Sequence, residues 1–236
     1  MRLTVAVIAG ALAISLFPTA ARAQETVSIG GVSAVLLKPK DAPAGSLILL
    51  AGGDGHLGIG AGGAITQLRG NQLVRTRGDY VARGFAVLVP EAAINLAAAV
   101  KYMAAIKRPV TVVGTSRGTQ RAAEGLAQGA RPDALVLTAG FLSPQSGQGV
   151  HRSVIVLAGS PARLPRTLVI HHRQDGCRFT LPSGVEPFLK WSGGRAEVVW
   201  LDGGSSTGDP CEARAYHGFN GLDAQVVAAA SAFARR

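Results

Sequence analysis

Few side chains in this sequence could do covalent chemistry, and their order along the chain is informative. Gly114-Thr115-Ser116-Arg117-Gly118 follows a short apolar run, Val110 to Val113, and precedes a stretch with helical spacing. A G-x-S-x-G in that setting forces a sharp strand-to-helix turn that exposes the serine oxygen, and the glycines permit close packing on either side. The pattern alone is weak. With 31 glycines and 14 serines in 236 residues, chance supplies roughly a quarter of a match. Gly204-Ser205-Ser206-Thr207-Gly208 fits as well, but it leads into Asp209-Pro210, so Ser206 reads as a loop residue. Ser116 is the candidate nucleophile.

A serine hydroxyl needs a base, and the base needs an acid to orient it. Among five histidines, His217 alone falls in the late position that the order serine, acid, histidine requires. His56 lies in an early glycine-rich loop and His151 in a segment that has room for an insertion. His171 and His172 end an apolar strand and are expected to pack or hydrogen-bond beneath the site. The acid should follow a strand lying between Ser116 and His217. Thr138 to Ser143 holds no carboxylate, whereas Asp175 follows the next strand by a short turn. Asp175 is the leading candidate, with Asp202 and Asp209 as alternatives.

The N-terminus sets the compartment. Arg2, the apolar run Leu3 to Phe17, Pro18 and Ala21-Arg22-Ala23 have the layout of a secretory signal peptide over residues 1–23. The run is shorter than the roughly 20 residues a membrane-spanning helix needs. A mature chain from Gln24, periplasmic or secreted, without stable membrane insertion, is the expectation. In an oxidising compartment the two cysteines, Cys177 and Cys211, should form a disulfide. It would either staple the Asp175 loop to the His217 loop or simply stabilise the fold. Two cysteines lack the partners for a zinc site, and no phosphate-cradling loop is present, so neither metal nor cofactor is expected.

These residues require a scaffold. Val27 to Leu37 reads as one or two strands; Ser46 to Leu50, Phe85 to Val89, Val110 to Val113, Ala134 to Thr138, Thr167 to His171 and Ala196 to Leu201 read as buried strands. Helices are expected from about Ile94 to Ile106, from the end of the Gly114-Thr115-Ser116-Arg117-Gly118 turn to about Gln128, and at the end, where Asn220 would cap a helix with Leu222, Val226, Ala229 and Phe233 on one face. Alternation of this kind means an α/β fold with a mostly parallel sheet covered on both sides. The absence of a composition shift makes 24–236 a single domain. Ligands of such sheets bind at the carboxyl ends of the strands.

With 47% hydrophobic and 16% charged residues, global disorder is excluded. The net charge of +10 comes mostly from arginines scattered along the chain, and aromatics are only 5%. That combination argues against nucleic acid as a partner. Arg69, Arg75, Arg77 and Arg117 could favour an anionic substrate or simply be solvated.

In element order, and in Gly114-Thr115-Ser116-Arg117-Gly118, Asp175 and His217, the chain resembles the α/β-hydrolase family. Within it, the small, exported esterases and dienelactone-hydrolase-like proteins with little or no cap are most similar. Dienelactone hydrolases carry a nucleophilic cysteine where this chain has Ser116, and many members have His-Gly where it has Ala51-Gly52. The resemblance implies a Ser116–His217–Asp175 triad acting on a small acyl substrate. It also implies an oxyanion hole made by the backbone N–H of Arg117 with that of Gly53 or Asp54. Peptidase or acyltransferase chemistry on the same triad, or binding without catalysis, are the alternatives.

Overall fold

The computed structural model describes residues 24–148 and 151–236. The expected signal peptide, 1–23, lies outside the described residues. An eight-stranded sheet forms the centre, in the order β1-β2-β4-β3-β5-β6-β7-β8. The opening segment is two strands, β1 (Gln24–Ile29) and β2 (Val32–Leu37), paired antiparallel. Gly30 and Gly31 join them, both at positive φ (60° and 83°). A two-residue hairpin turn that follows the strand twist needs that conformation, and glycine adopts it without strain.

The other six strands are parallel to one another: β3 (Gly45–Leu50), β4 (Phe85–Pro90), β5 (Val110–Thr115), β6 (Ala134–Thr138), β7 (Arg166–His172) and β8 (Ala196–Leu201). β2 runs antiparallel to β4. Side chains alternate along a strand, so each central strand feeds two cores. Ile48, Leu50 and Leu88 enter one; Leu47, Leu49, Val87 and Val89 enter the other. The first core is covered by α3 (Leu96–Ile106), α4 (Arg117–Ala127), α5 (Val154–Ala158) and α6 (Val185–Ser192), through residues such as Met103, Leu126, Val154 and Phe188. The second lies under α1 (Gln72–Arg75), α2 (Arg77–Ala82) and α7 (Asp223–Ala234), through Leu73, Tyr80, Val226 and Phe233. Among the described residues between β6 and β7 the chain makes α5 and two single 3₁₀ turns, Pro144–Ser146 and Pro161–Arg163.

A side chain caps α3, whereas the cap expected at the last helix is not made. The Asn95 carboxamide oxygen accepts from Ala98 N–H at 3.0 Å and starts α3. Asn220 does not cap α7. Its amide donates to Ser205 Oγ (2.9 Å) and to the Arg214 carbonyl (3.2 Å), knitting the preceding loop together, and the helix begins at Asp223 without a side-chain cap. Gly221, at φ 83°, turns the chain between the two. Among the described residues no helix is long and apolar enough to cross a membrane.

Candidate active site

The carboxyl ends of β3, β5, β7 and β8 lead into the loops that carry every candidate. Ser116 lies between β5 and α4 at φ 52°, ψ −124°, a conformation that non-glycine residues reach only with strain of roughly 1–3 kcal/mol. Its backbone is pinned on both sides. Ser116 N–H donates to Thr138 O at 3.0 Å, and Ser116 O accepts from Thr119 N–H at 2.9 Å and Thr119 Oγ1 at 2.6 Å. The flanking glycines have steric reasons. A Cβ on Gly114 would lie 2.7 Å from Gly118 O, and one on Gly118 only 2.0 Å from Leu50 O. The start of α4 is thereby pressed directly onto the end of β3.

His217 Nε2 stands 3.1 Å from Ser116 Oγ, and His217 Nδ1 stands 3.1 Å from Asp175 Oδ2. The imidazole and the carboxylate are buried, Asp175 to 2% exposure. Asp175 Oδ1 accepts from Cys177 N–H at 2.9 Å. Thr180, fully buried, places Oγ1 3.1 Å from Asp175 Oδ2 and 2.9 Å from His217 Nδ1. For Nε2 to accept the serine proton, the imidazole proton must sit on Nδ1 and point at Asp175. The Thr180 hydroxyl then accepts from that N–H and donates to the carboxylate. Sequence reading passed over Thr180, because a threonine five residues beyond an aspartate carries no motif. A turn closed by Thr180 N–H to Cys177 O, 3.0 Å, returns it to the acid.

The alternative residues lie elsewhere. Asp202 is exposed and pairs with Arg173 at 3.2 Å; Asp209 Oδ1 accepts from Cys211 N–H at 2.8 Å. Ser206 is exposed, and among the described residues no histidine hydrogen-bonds to it. His56 is exposed beside Glu91, and His151 is exposed. His172 stacks on Tyr216 with ring centroids 4.4 Å apart, donates from Nε2 to Gly203 O and accepts Gln174 N–H at Nδ1. Cys177 and Cys211 are joined in a disulfide. The bridge links the Asp175 loop to the segment leading into His217.

A cleft of about 160 Å³ opens over Ser116, lined among others by Gly52, Gly53, Leu68, Asn71, Glu212 and His217. At Gly52 a side chain would crowd the nucleophile. A Cβ there would lie 3.1 Å from both Ser116 Cβ and Asn71 Nδ2. Asn71 is held by its Oδ1, which accepts Leu73 N–H at the start of α1. Leu68, at φ 52°, lies over Gly53. Gly53 lines the cleft and Asp54 does not, while Arg117 is the first residue of α4, whose N–H has no partner within the helix. The arginines raised as anion binders do not line the cleft. Arg75 instead makes a bidentate pair with Asp223 (2.8 and 2.7 Å) and donates to Gly218 O at 2.7 Å, which anchors the residue after His217.

Beneath the site, His171 is buried, with Nδ1 3.2 Å from His172 O. Burial holds its pKa below 6.5, against a smaller opposing effect of Asp175. The unfolded chain therefore takes up the proton first as pH falls, so stability is lost below about pH 6.5 and retained above it. Thermal melts between pH 8 and 5 should show the loss, with a shallower slope for His171→Leu. Equal slopes would remove His171 from the cause.

No family model matches the sequence, and no curated protein matches it. Solved structures do. The esterase domain of a Rhodothermus marinus protein superposes with a TM-score of 0.62 at 15% identity, covering 90% of this chain and 97% of that one. Est1E from Butyrivibrio proteoclasticus with ferulic acid bound gives 0.60 at 15%, covering 88% and 96%. A puromycin-hydrolyzing peptidase of Mycobacterium tuberculosis gives 0.59 at 13%, covering 89% of this chain but 38% of that one.

Proposed function

We propose that this chain, which has the α/β-hydrolase fold, is an exported serine hydrolase of carboxylic esters or related small acyl compounds. The observation that carries the reading is the hydrogen-bonded line from Ser116 Oγ through His217 to Asp175 at the floor of a cleft. His217 Nε2 takes the Ser116 proton as Oγ attacks the acyl carbon. Asp175 holds the imidazole in the required tautomer and stabilises the imidazolium. The oxyanion meets the backbone N–H of Arg117 and, because Gly53 rather than Asp54 faces the cleft, that of Gly53. Collapse of the tetrahedral intermediate expels the alcohol, protonated by His217. Water then attacks the acyl-serine with His217 again as base. The disulfide supports the exported state, since such bonds persist in oxidising compartments.

The size of the cleft, about 160 Å³ with Leu68 along one side, favours compact acyl groups. A panel of p-nitrophenyl esters of graded chain length, with lactones and puromycin-like aminoacyl amides alongside, tests this. Turnover should be highest on the shortest esters and fall as the acyl chain lengthens. Dominant cleavage of the aminoacyl amides would instead favour the peptidase reading. The absence of both turnover and labelling by a fluorophosphonate would sink the hydrolase reading altogether.

A further inference from the structure

Arg121 lies one turn into α4, beyond Ser116, and its guanidinium reaches back under the loop that follows β3. Nη2 donates to the Ala51 carbonyl and lies 3.4 Å from that of Gly52. Nη1 lies 3.4 Å from Gly53 O and 3.5 Å from Asp54 O. Four consecutive carbonyls thus face one half-buried cation. Among the described residues its hydrogen-bond acceptors are all backbone carbonyls, and no carboxylate pairs with it. Gly55 leaves the space it passes through, since a Cβ there would lie 2.7 Å from Nη2. Asp54 and Glu124 act on it only from beyond direct contact, and a half-buried cation with no directly paired carboxylate is an expensive device for fastening a loop.

We infer that Arg121 is a positioning residue for the oxyanion hole. The inference rests on the serine-hydrolase reading above. A trans peptide unit is planar, with its C=O and N–H pointing in opposite directions. Holding the Gly52 carbonyl against the guanidinium therefore turns the N–H of the same unit, that of Gly53, away from Arg121. Gly52 and Gly53 line the cleft, and Arg121 does not. The N–H is aimed at the space above Ser116. The cation also polarises the peptide units it touches, which strengthens each N–H as a donor at its far end. Arg121 thus acts on the developing oxyanion through one peptide unit, without touching substrate.

The test is steady-state kinetics of Arg121→Gln and Arg121→Lys on one short ester, with fluorophosphonate labelling rates and pH profiles. Loss of one oxyanion donor costs about 10²–10³-fold in kcat, and misaiming a donor should cost less. Arg121→Gln should lower kcat and the labelling rate together by about 10- to 100-fold. KM should stay within about twofold, and the acid limb of the pH profile should not move. Arg121→Lys, which keeps the charge but loses the fork, should recover part of the rate. A folded Arg121→Gln with near wild-type kcat, a loss confined to KM, or a shifted acid limb would each overturn the inference. If Arg121→Gln does not fold, Arg121→Lys decides: wild-type kcat overturns the inference, and a loss of about fivefold or more at constant KM supports it. A wild type that neither turns over esters nor takes the label overturns the hydrolase reading, and this inference with it. A wild type that does both while Arg121→Gln equals it overturns this inference alone.

Discussion

Replacing Ser116 with alanine should reduce ester turnover by a factor on the order of 10⁶ and abolish fluorophosphonate labelling, while Ser206→Ala leaves both at the wild-type level. The size of the effect follows from what the hydroxyl does. In the proposed reaction it supplies the atom that bonds to the acyl carbon, and it is the group that His217 Nε2 meets, at 3.1 Å. Alanine keeps the Cβ, the φ of 52° and the backbone hydrogen bonds to Thr138 and Thr119, so the melting temperature should hardly change. Intact-mass spectrometry after labelling gives a direct readout. Label retained on Ser116→Ala would move the nucleophile elsewhere.

Asp175→Asn should lower kcat by about 10⁴-fold without unfolding the protein. The mutant carboxamide can present an N–H to His217 Nδ1 where the carboxylate accepted one. Thr180 worsens the error. Its hydroxyl, 2.9 Å from Nδ1, is then free to donate to that nitrogen as well. Both donors favour the tautomer with the proton on Nε2, which cannot accept from Ser116. Asp202→Asn and Asp209→Asn should stay near wild type: the first loses an exposed ion pair, and the second keeps the Oδ1 that accepts Cys211 N–H. Kinetics on all three variants, with circular dichroism to check folding, decides the matter. A crippled Asp202→Asn beside an active Asp175→Asn would place the acid on β8.

Much of this scaffold was legible because parallel strands buried on both faces are written as short β-branched runs. The six parallel strands fall where those runs predict, with no end displaced by more than two residues. The elbow at Ser116 was legible from steric logic, and the positions of Asp175 and His217 from strand order. Hidden elements share a physical cause. α1 and α2 are four and six residues long, too short for a 3.6-residue period to stand out. Asn220 was misassigned because an asparagine before an apolar stripe suits a cap and a loop bond equally well. Thr180 and Arg121 act through contacts across the fold, 37 residues from His217 and 70 from Ala51. Local pattern carries no trace of such pairings.

The Cys177–Cys211 bond, between cysteines 34 positions apart, encloses α6 and β8 in a covalent ring. β8 is the outermost strand on its side of the sheet, joined to it through β7 alone, and a strand so placed would ordinarily fray first. Here one end of the ring begins two residues after Asp175 and the other ends six residues before His217. Closing such a ring removes roughly 3–4 kcal/mol of chain entropy from the open state. Fraying of β8 is consequently not a private event of the edge. The strand, the acid loop and the histidine loop should therefore open together, and hydrogen exchange should find their amides sharing one opening in the oxidised protein.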